Sequence, residues 1–248
     1  MTTYSDFIIH EVPKVILIWS GLYALGNLVF HKNIKVNYTR KIGHFSIFFI
    51  PMFFEAYFPY ERTGVTSLLV LLSVLITYGI FLTRNKIPVV QRAFLAIDRP
   101  EDRPHTLLWF YTQFLACTII IIAVAIAAAF MGISWAKINL LVISLATIGD
   151  GLAEPIGVRF GKLKYKTRAL FTKKKYYRTL EGSATVFVAS VLVLVIFRDL
   201  FTTEQYIIAL VALPITMAVV EAISPHTWDQ PFLLGSGGVE VLLIKHLV

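Results

Sequence analysis

The sequence predicts an all-α fold: a polytopic membrane helical bundle of about eight transmembrane helices. Three observations lead there. Hydrophobic residues fill 57% of the 248 positions, and the mean hydropathy is +0.72, values that belong to integral membrane proteins and not to soluble domains. The apolar residues come in runs long enough to cross a bilayer, which takes about 20 residues each, and these runs use up nearly the whole chain. The basic residues are clustered, with 18 of the 23 Lys and Arg in the segments 31–43, 84–105 and 159–182. Threaded through the expected spans, these three segments fall on one side, which the positive-inside rule makes the cytoplasm. The opposite loops carry single basic residues such as Arg62, Lys137 and Arg198. Both termini then lie outside.

Val12–Phe30 is the first expected span, with Trp19 and Tyr23 within it. The second runs over 43–58 and ends in the aromatic Tyr57-Phe58-Pro59-Tyr60. Gly64–Leu82 is the third. In the loop 84–105, Val89, Val90, Ala93, Phe94 and Ile97 share a helical face, which suits a short helix lying on the membrane or a plain connecting helix. Thr106–Met131 is the fourth span and the most apolar; Lys137–Val158 is the fifth. A basic loop, 159–181, leads to a short sixth span, Ser183–Phe197. Gln205–Ile223 is the seventh, and the last apolar run, 231–247, is interrupted by Gly235-Ser236-Gly237-Gly238.

Little length remains for a soluble domain. The chain is therefore expected to be a single integral-membrane domain, 1–248, with its site among the helices and short loops. Cys117 is the only cysteine, which excludes an intrachain disulfide and a cysteine metal site. The formal charge of +8 would suggest nucleic acid in a soluble protein; here it reads as orientation and anionic ligands, and no nucleic-acid partner is expected. No cleavable signal or transit peptide is read at the N-terminus, and the first apolar run is expected to remain as a span. The compact N-terminus suits a prokaryotic plasma membrane.

The chemistry centres on residues 148–162, Ile-Gly-Asp-Gly-Leu-Ala-Glu-Pro-Ile-Gly-Val-Arg-Phe-Gly-Lys. Charged side chains at membrane depth are costly and mark sites. Asp150 and Glu154 are four apart and share a helical face. Gly149, Ala153, Gly157 and Gly161 form a stripe of small residues beside them, which admits either a neighbouring helix or a ligand close to the backbone. The two acids suit magnesium, whose coordination a nucleotide phosphate would complete; one of them could instead accept a proton from an attacking hydroxyl. Pro155 would open the helix locally.

Arg40, Lys41 and His44 stand where the first basic loop meets the second span. The two cations could clamp a phosphate and His44 could orient an oxygen, or all three could be ordinary anchors. Arg178-Thr179-Leu180-Glu181-Gly182-Ser183 precedes the sixth span, with Gly182 or Ser183 at the expected N-cap. A helix N-terminus there could receive an anion, with Arg178 as a phosphate contact and Glu181 as a metal ligand. Lys173–Lys175 read as lipid-headgroup or orientation residues. Glu221 closes the seventh span and needs a partner at that depth. Asp229 could join the metal or bind the nucleotide sugar; a surface loop is the competing reading for Asp229 and His226.

Four segments in this order resemble the dolichol kinase/phytol kinase group of polytopic membrane enzymes, which are related to cytidylyltransferases. They are Arg40-Lys41-x-x-His44, Gly149-Asp150-Gly151-x-Ala153-x-x-x-Gly157-x-x-x-Gly161-Lys162, Thr179-x-Glu181-Gly182-Ser183, and Glu221-Ala222-Ile223-Ser224-Pro225 with Asp229. Two positions depart from that pattern: Arg178-Thr179 stands where Lys-Ser or Lys-Thr is usual, and Asp229-Gln230 where Asp-Asn is common. The resemblance implies phosphoryl transfer from a nucleoside triphosphate, typically CTP with UTP or ATP as alternatives, to an isoprenoid alcohol such as phytol, geranylgeraniol or a polyprenol.

The expected site then has Asp150, Glu154 and His44 in catalysis. Nucleotide and phosphate would be bound by Arg40, Lys41, Gly151, Gly157, Gly161, Lys162, Arg178, Glu181, Gly182, Ser183 and Asp229. The cofactor would be Mg2+, with Asp150, Glu154, Glu181 and Glu221 as candidate ligands. A lipid-phosphate cytidylyltransferase and a diacylglycerol kinase fit the same motifs. A transporter, with Asp150 and Glu154 lining a path, is the rival of another class.

Overall fold

The computed structural model describes residues 3–60 and 64–247. Arg62, one of the sparse basic residues of the opposite loops, lies outside the described residues. The fold is nearly all-α. In chain order the helices are α1 (Thr3–Lys32), α2 (Val36–Tyr57), α3 (Gly64–Gly79), α4 (Pro88–Phe94), α5 (Thr106–Phe130), α6 (Trp135–Phe160), α7 (Leu180–Ile196), α8 (Thr203–Ile223) and α9 (Asp229–Leu247). Two short strands, β1 (Lys164–Thr167) and β2 (Tyr176–Thr179), pair antiparallel between α6 and α7.

Among the described residues five stretches are long and apolar enough to cross a membrane: Ser5–Lys32, Gly64–Thr83, Thr106–Phe130, Trp135–Phe160 and Thr203–Ile223. By the length and composition of these helices the chain is a multi-pass membrane protein. α7 is apolar but shorter, and α2 and α9 are not among the five.

The chain divides into two compact units, Met1–Arg103 and Pro104–Val248. In the first, α1 packs against α2, α3 and α4. Only residues 33–35 separate α1 from α2, so most of the expected basic loop is helix. Arg40, Lys41 and His44 consequently lie within α2. Lys41 is buried; Arg40 and His44 are half-buried. The His44 ring lies 5.1 Å from that of Phe48, one turn on.

The expected membrane-surface helix is α4, and its apolar face is turned inward. Val90, Ala93 and Phe94 are buried, as is Ile97 just beyond its end, while Val89 is exposed. α4 is therefore a connecting helix docked on α1. The contact is close at Gly26, where an added Cβ would stand 1.8 Å from the Arg92 carbonyl oxygen. Arg92 in turn lies over the Phe30 ring at 3.5 Å. Backbone cannot yield as a flexible side chain can. Gly26→Ala is expected to destabilise the protein by about 3 kcal/mol, whereas Gly21→Ala, with nothing within 4 Å of its Cβ direction, should change little. Thermal unfolding of the two variants in detergent would check this; equal midpoints would show that α4 does not press on α1 as described.

In the second unit α6, α7, α8 and α9 each pack on the next, α9 closes the ring against α6, and α5 lies against α9. Its core includes Leu145, Val186, Leu194, Leu213, Met217 and Leu234. Helices in lipid gain little from removing apolar surface from water, so close packing of small residues matters more. α9 shows this. It runs unbroken through Gly235–Gly238, where the apolar run is interrupted. A Cβ on Gly238 would stand 2.9 Å from Val124, and one on Gly237 would stand 3.1 Å from Met217. These glycines let α5 and α8 approach. α6 likewise continues through Pro155 to Phe160, so the proline does not end the helix.

Candidate active site

The end of α6 and the start of α7 are joined by the hairpin, and the hairpin carries the arrangement. Its residues alternate. Lys164 and Lys166 on β1 and Tyr177 on β2 are exposed; Thr167 and Tyr176 are buried, with Tyr165 and Arg178 partly so. One face thus points into the protein. β-branched and aromatic residues suit such a half-buried ribbon.

The inner face is pinned to the connection between α8 and α9. The His226 amide donates to the Arg168 carbonyl at 2.7 Å, and the Thr167 hydroxyl donates to the Ser224 carbonyl at 3.2 Å. The Tyr176 ring stacks on His226 at 3.8 Å, and Trp109 meets both rings edge-on. The Trp109 indole also donates to the Leu170 carbonyl at 3.0 Å. Asp229 and His226 therefore belong to a packed connection, not to a free surface loop. Thr227, between them, is buried and has φ +66°, a left-handed conformation that a β-branched residue seldom adopts. Its hydroxyl has no hydrogen-bond partner among the described residues.

Arg178 reaches from β2 into this connection. It pairs with Glu221 at 3.2 Å and with Asp229 at 3.4 Å. It also donates to the Ser224 hydroxyl at 3.2 Å and the Pro225 carbonyl at 3.4 Å. Burial alone would lower its pKa; the Asp229 and Glu221 charges outweigh burial and hold it raised. The other oxygen of Glu221 accepts from the Ser183 hydroxyl at 2.7 Å. Tyr165 lies 2.7 Å from the same hydroxyl, and since Ser183 gives its proton to Glu221, Tyr165 is the donor. Burial, then the Glu221 charge, pushes the Tyr165 phenol up, which keeps that proton in place. The result is a directed chain, Tyr165 to Ser183 to Glu221, closed by Arg178.

Ser183 is therefore not the helix cap. Thr179 caps α7, its hydroxyl accepting from the Gly182 amide at 3.1 Å, because its extended backbone ends β2 where the helix begins. Glu181 accepts from the backbone amide of Lys162 at 2.8 Å and of Leu163 at 3.3 Å, tying the hairpin base to α7. The small-residue stripe of α6 faces these same elements. A Cβ on Gly157 would stand 2.7 Å from the Thr179 hydroxyl, and one on Gly161 would stand 2.4 Å from the Thr179 methyl. Gly149 faces Val186 of α7 in the same way, at 3.0 Å. Packing against α7 and its cap thus accounts for glycine at these positions.

Asp150 and Glu154 lie one turn apart on α6, Asp150 buried and Glu154 half-buried. Gln230, beside Asp229, is buried and donates to the Thr147 hydroxyl at 3.2 Å, which ties the start of α9 to the turn before Asp150. The structure thus joins Arg178, Ser183, Glu221 and Asp229 directly, and Lys162 to Glu181. Arg40, Lys41 and His44 belong to the other unit. Sequence reasoning missed Tyr165, Thr167, Tyr176, Trp109 and Thr147. The alternation Lys164-Tyr165-Lys166-Thr167 opposite Tyr176-Tyr177-Arg178-Thr179 was the signal for the first three.

Among the described residues no three His, Cys, Asp or Glu side chains gather as a metal site. Magnesium commonly takes one or two carboxylates and completes its shell with water and phosphate, so the fit does not require three. Glu221 and Glu181 are engaged by Arg178 and by backbone amides. Asp150 and Glu154 match the one-or-two-carboxylate pattern. Comparison with protein-family models, with curated proteins and with solved structures finds no match.

Proposed function

We propose that the protein is a membrane phosphotransferase that moves the terminal phosphoryl group of a nucleoside triphosphate, CTP by resemblance, to the primary hydroxyl of an isoprenoid alcohol. The observation that carries this reading is the chain of Arg178, Glu221, Ser183 and Tyr165 at the start of α7 and the end of α8, with Glu221 and Ser183 buried and Arg178 and Tyr165 partly so. Taking such charges out of water is costly unless they are paired and hydrogen-bonded, and ordinary membrane anchoring does not call for it. The cluster sits where apolar helices end, so a lipid hydroxyl and a soluble nucleotide would meet there. We take α2, α7 and α9 as spans in addition to the five long apolar stretches, with the three basic segments on the cytoplasmic side of a prokaryotic plasma membrane.

Phosphoryl transfer depends mainly on positioning and on neutralising charge. The alcohol oxygen forms a bond to the terminal phosphorus, the bond to the nucleoside diphosphate breaks, and the hydroxyl proton passes to a base. Asp150 is the first candidate for that base or for holding magnesium, with Glu154 beside it. When bound, the ion would neutralise charge on the phosphates. Lys162, exposed just beyond the end of α6, would hold phosphate. Arg178, paired twice, sets the position of Glu221 and Asp229. The roles expected for Arg40, Lys41 and His44 rest on the resemblance alone.

The test uses purified protein in detergent with magnesium, gamma-labelled CTP, ATP and UTP in turn, and phytol, geranylgeraniol or a long polyprenol. Label is expected in a lipid-soluble monophosphate, with CTP the best donor. No labelled lipid from folded protein would count against the reading. Pyrophosphate release with a lipid phosphate would indicate a cytidylyltransferase, and labelled phosphatidate a diacylglycerol kinase.

A further inference from the structure

The hairpin's inner face is occupied by the contacts described above; its outer face is a different surface. Lys164, Lys166 and Arg168 alternate along one edge, and all three are exposed. The turn that joins the strands adds exposed Lys173 and Lys175, and Phe171 at its tip is 58% exposed. Leu163 and Leu180, which flank the base of the hairpin, and Tyr177 on β2 are exposed as well. Lys174 lies over the Tyr176 ring at 5.2 Å and helps hold the turn. Three residues separate the hairpin from the end of α6, a helix long and apolar enough to cross a membrane.

We infer that this outer face docks on anionic phospholipid headgroups of the membrane that holds the chain. The charge is complementary: five cations face outward, and among the described residues of the hairpin this face carries no carboxylate, since Glu181 is turned to the amides of Lys162 and Leu163. Exposed Phe171 and Leu163 beside lysines form an interfacial pattern, with apolar groups entering the acyl boundary and ammonium groups remaining among the phosphates. Position supplies the rest, because a ribbon that starts at the end of a membrane-crossing helix lies within reach of the headgroups, where each lysine is attracted to an anionic surface. The inference does not depend on the phosphotransferase reading, and its test uses no turnover.

The test places a polarity-sensitive fluorophore at Phe171→Cys; Cys117 is buried and is not expected to compete for the label. The protein is placed in nanodiscs of phosphatidylcholine with or without phosphatidylglycerol. In the anionic discs the emission should shift to the blue, and quenching by neutral acrylamide should fall several-fold. High salt should abolish both effects, as should the combined variant Lys164→Gln, Lys166→Gln, Lys173→Gln and Lys175→Gln. Identical emission and quenching in the two discs would overturn the inference. So would protection produced in phosphatidylcholine discs by inorganic phosphate or CTP alone, which would assign the face to a soluble phosphate. The lipid and salt comparisons need no lysine variant, so they decide the matter even if the fourfold variant folds poorly.

Discussion

Arg178→Leu is expected to destabilise the protein by about 3–5 kcal/mol, the cost of leaving buried charges without their partner. Glu221 would keep only the Ser183 hydroxyl among the contacts described for it, and Asp229 would lose its ion pair. The loss should spread beyond the pair, because Arg178 also holds the Ser224 hydroxyl and the Pro225 carbonyl on which the hairpin docks. The size of the effect comes from uncompensated charge more than from the worth of the bridge itself. Adding Glu221→Gln and Asp229→Asn to Arg178→Leu should therefore restore most of the stability. Thermal unfolding in detergent, followed by intrinsic fluorescence, would measure both. An Arg178→Leu protein as stable as its parent would mean that the three charges do not form the buried unit described.

On the proposed phosphotransferase reading, Asp150→Asn should lower phosphoryl transfer by about 10²–10⁴-fold, the usual range for loss of a positioned acid or base. The change keeps the shape of the side chain and removes its charge, so the fold should persist. Asp150 is buried, and the turn before it is fixed through Thr147 to Gln230 at the start of α9. That tie holds α6 in place when the carboxylate is altered, and it separates loss of chemistry from loss of structure. The labelled-lipid assay measures the first and the unfolding midpoint the second. Full transfer by a folded Asp150→Asn protein would remove Asp150 from the mechanism.

The helices were legible because membrane spans announce themselves by apolar length. Thr106–Met131 was read almost to the residue, since nothing charged interrupts it. Boundaries failed where charged residues continue a helix: α2 starts at Val36, well before its apolar run, and carries Arg40 and Lys41 inside it. Gly235–Gly238 interrupts the apolar run of α9, and the sequence did not show that these glycines lie against α5 and α8. The hairpin was hidden by its own charge. Nine basic residues between Arg159 and Arg178 read as solvated loop, and the period-two pattern lay underneath. In the site, the pairing of Glu221 with Arg178 could be expected from the need to neutralise a carboxylate at that depth. The places of Ser183 and Tyr165 could not, because they depend on Thr179 taking the cap and on the turn of the hairpin bringing β1 back over α7.

The left-handed turn at Thr227 bears on how the second unit assembles. A branched side chain in that conformation is strained, and its buried hydroxyl finds no partner among the described residues. The connection between α8 and α9 would relax if left alone. It is held by contacts from elsewhere: the Arg168 carbonyl on His226, the Tyr176 ring, and Arg178 on Asp229. Turn and hairpin therefore brace one another through these contacts. Synthesis delivers the hairpin first, and its inner-face partner, residues 224–229, follows about 50 residues later.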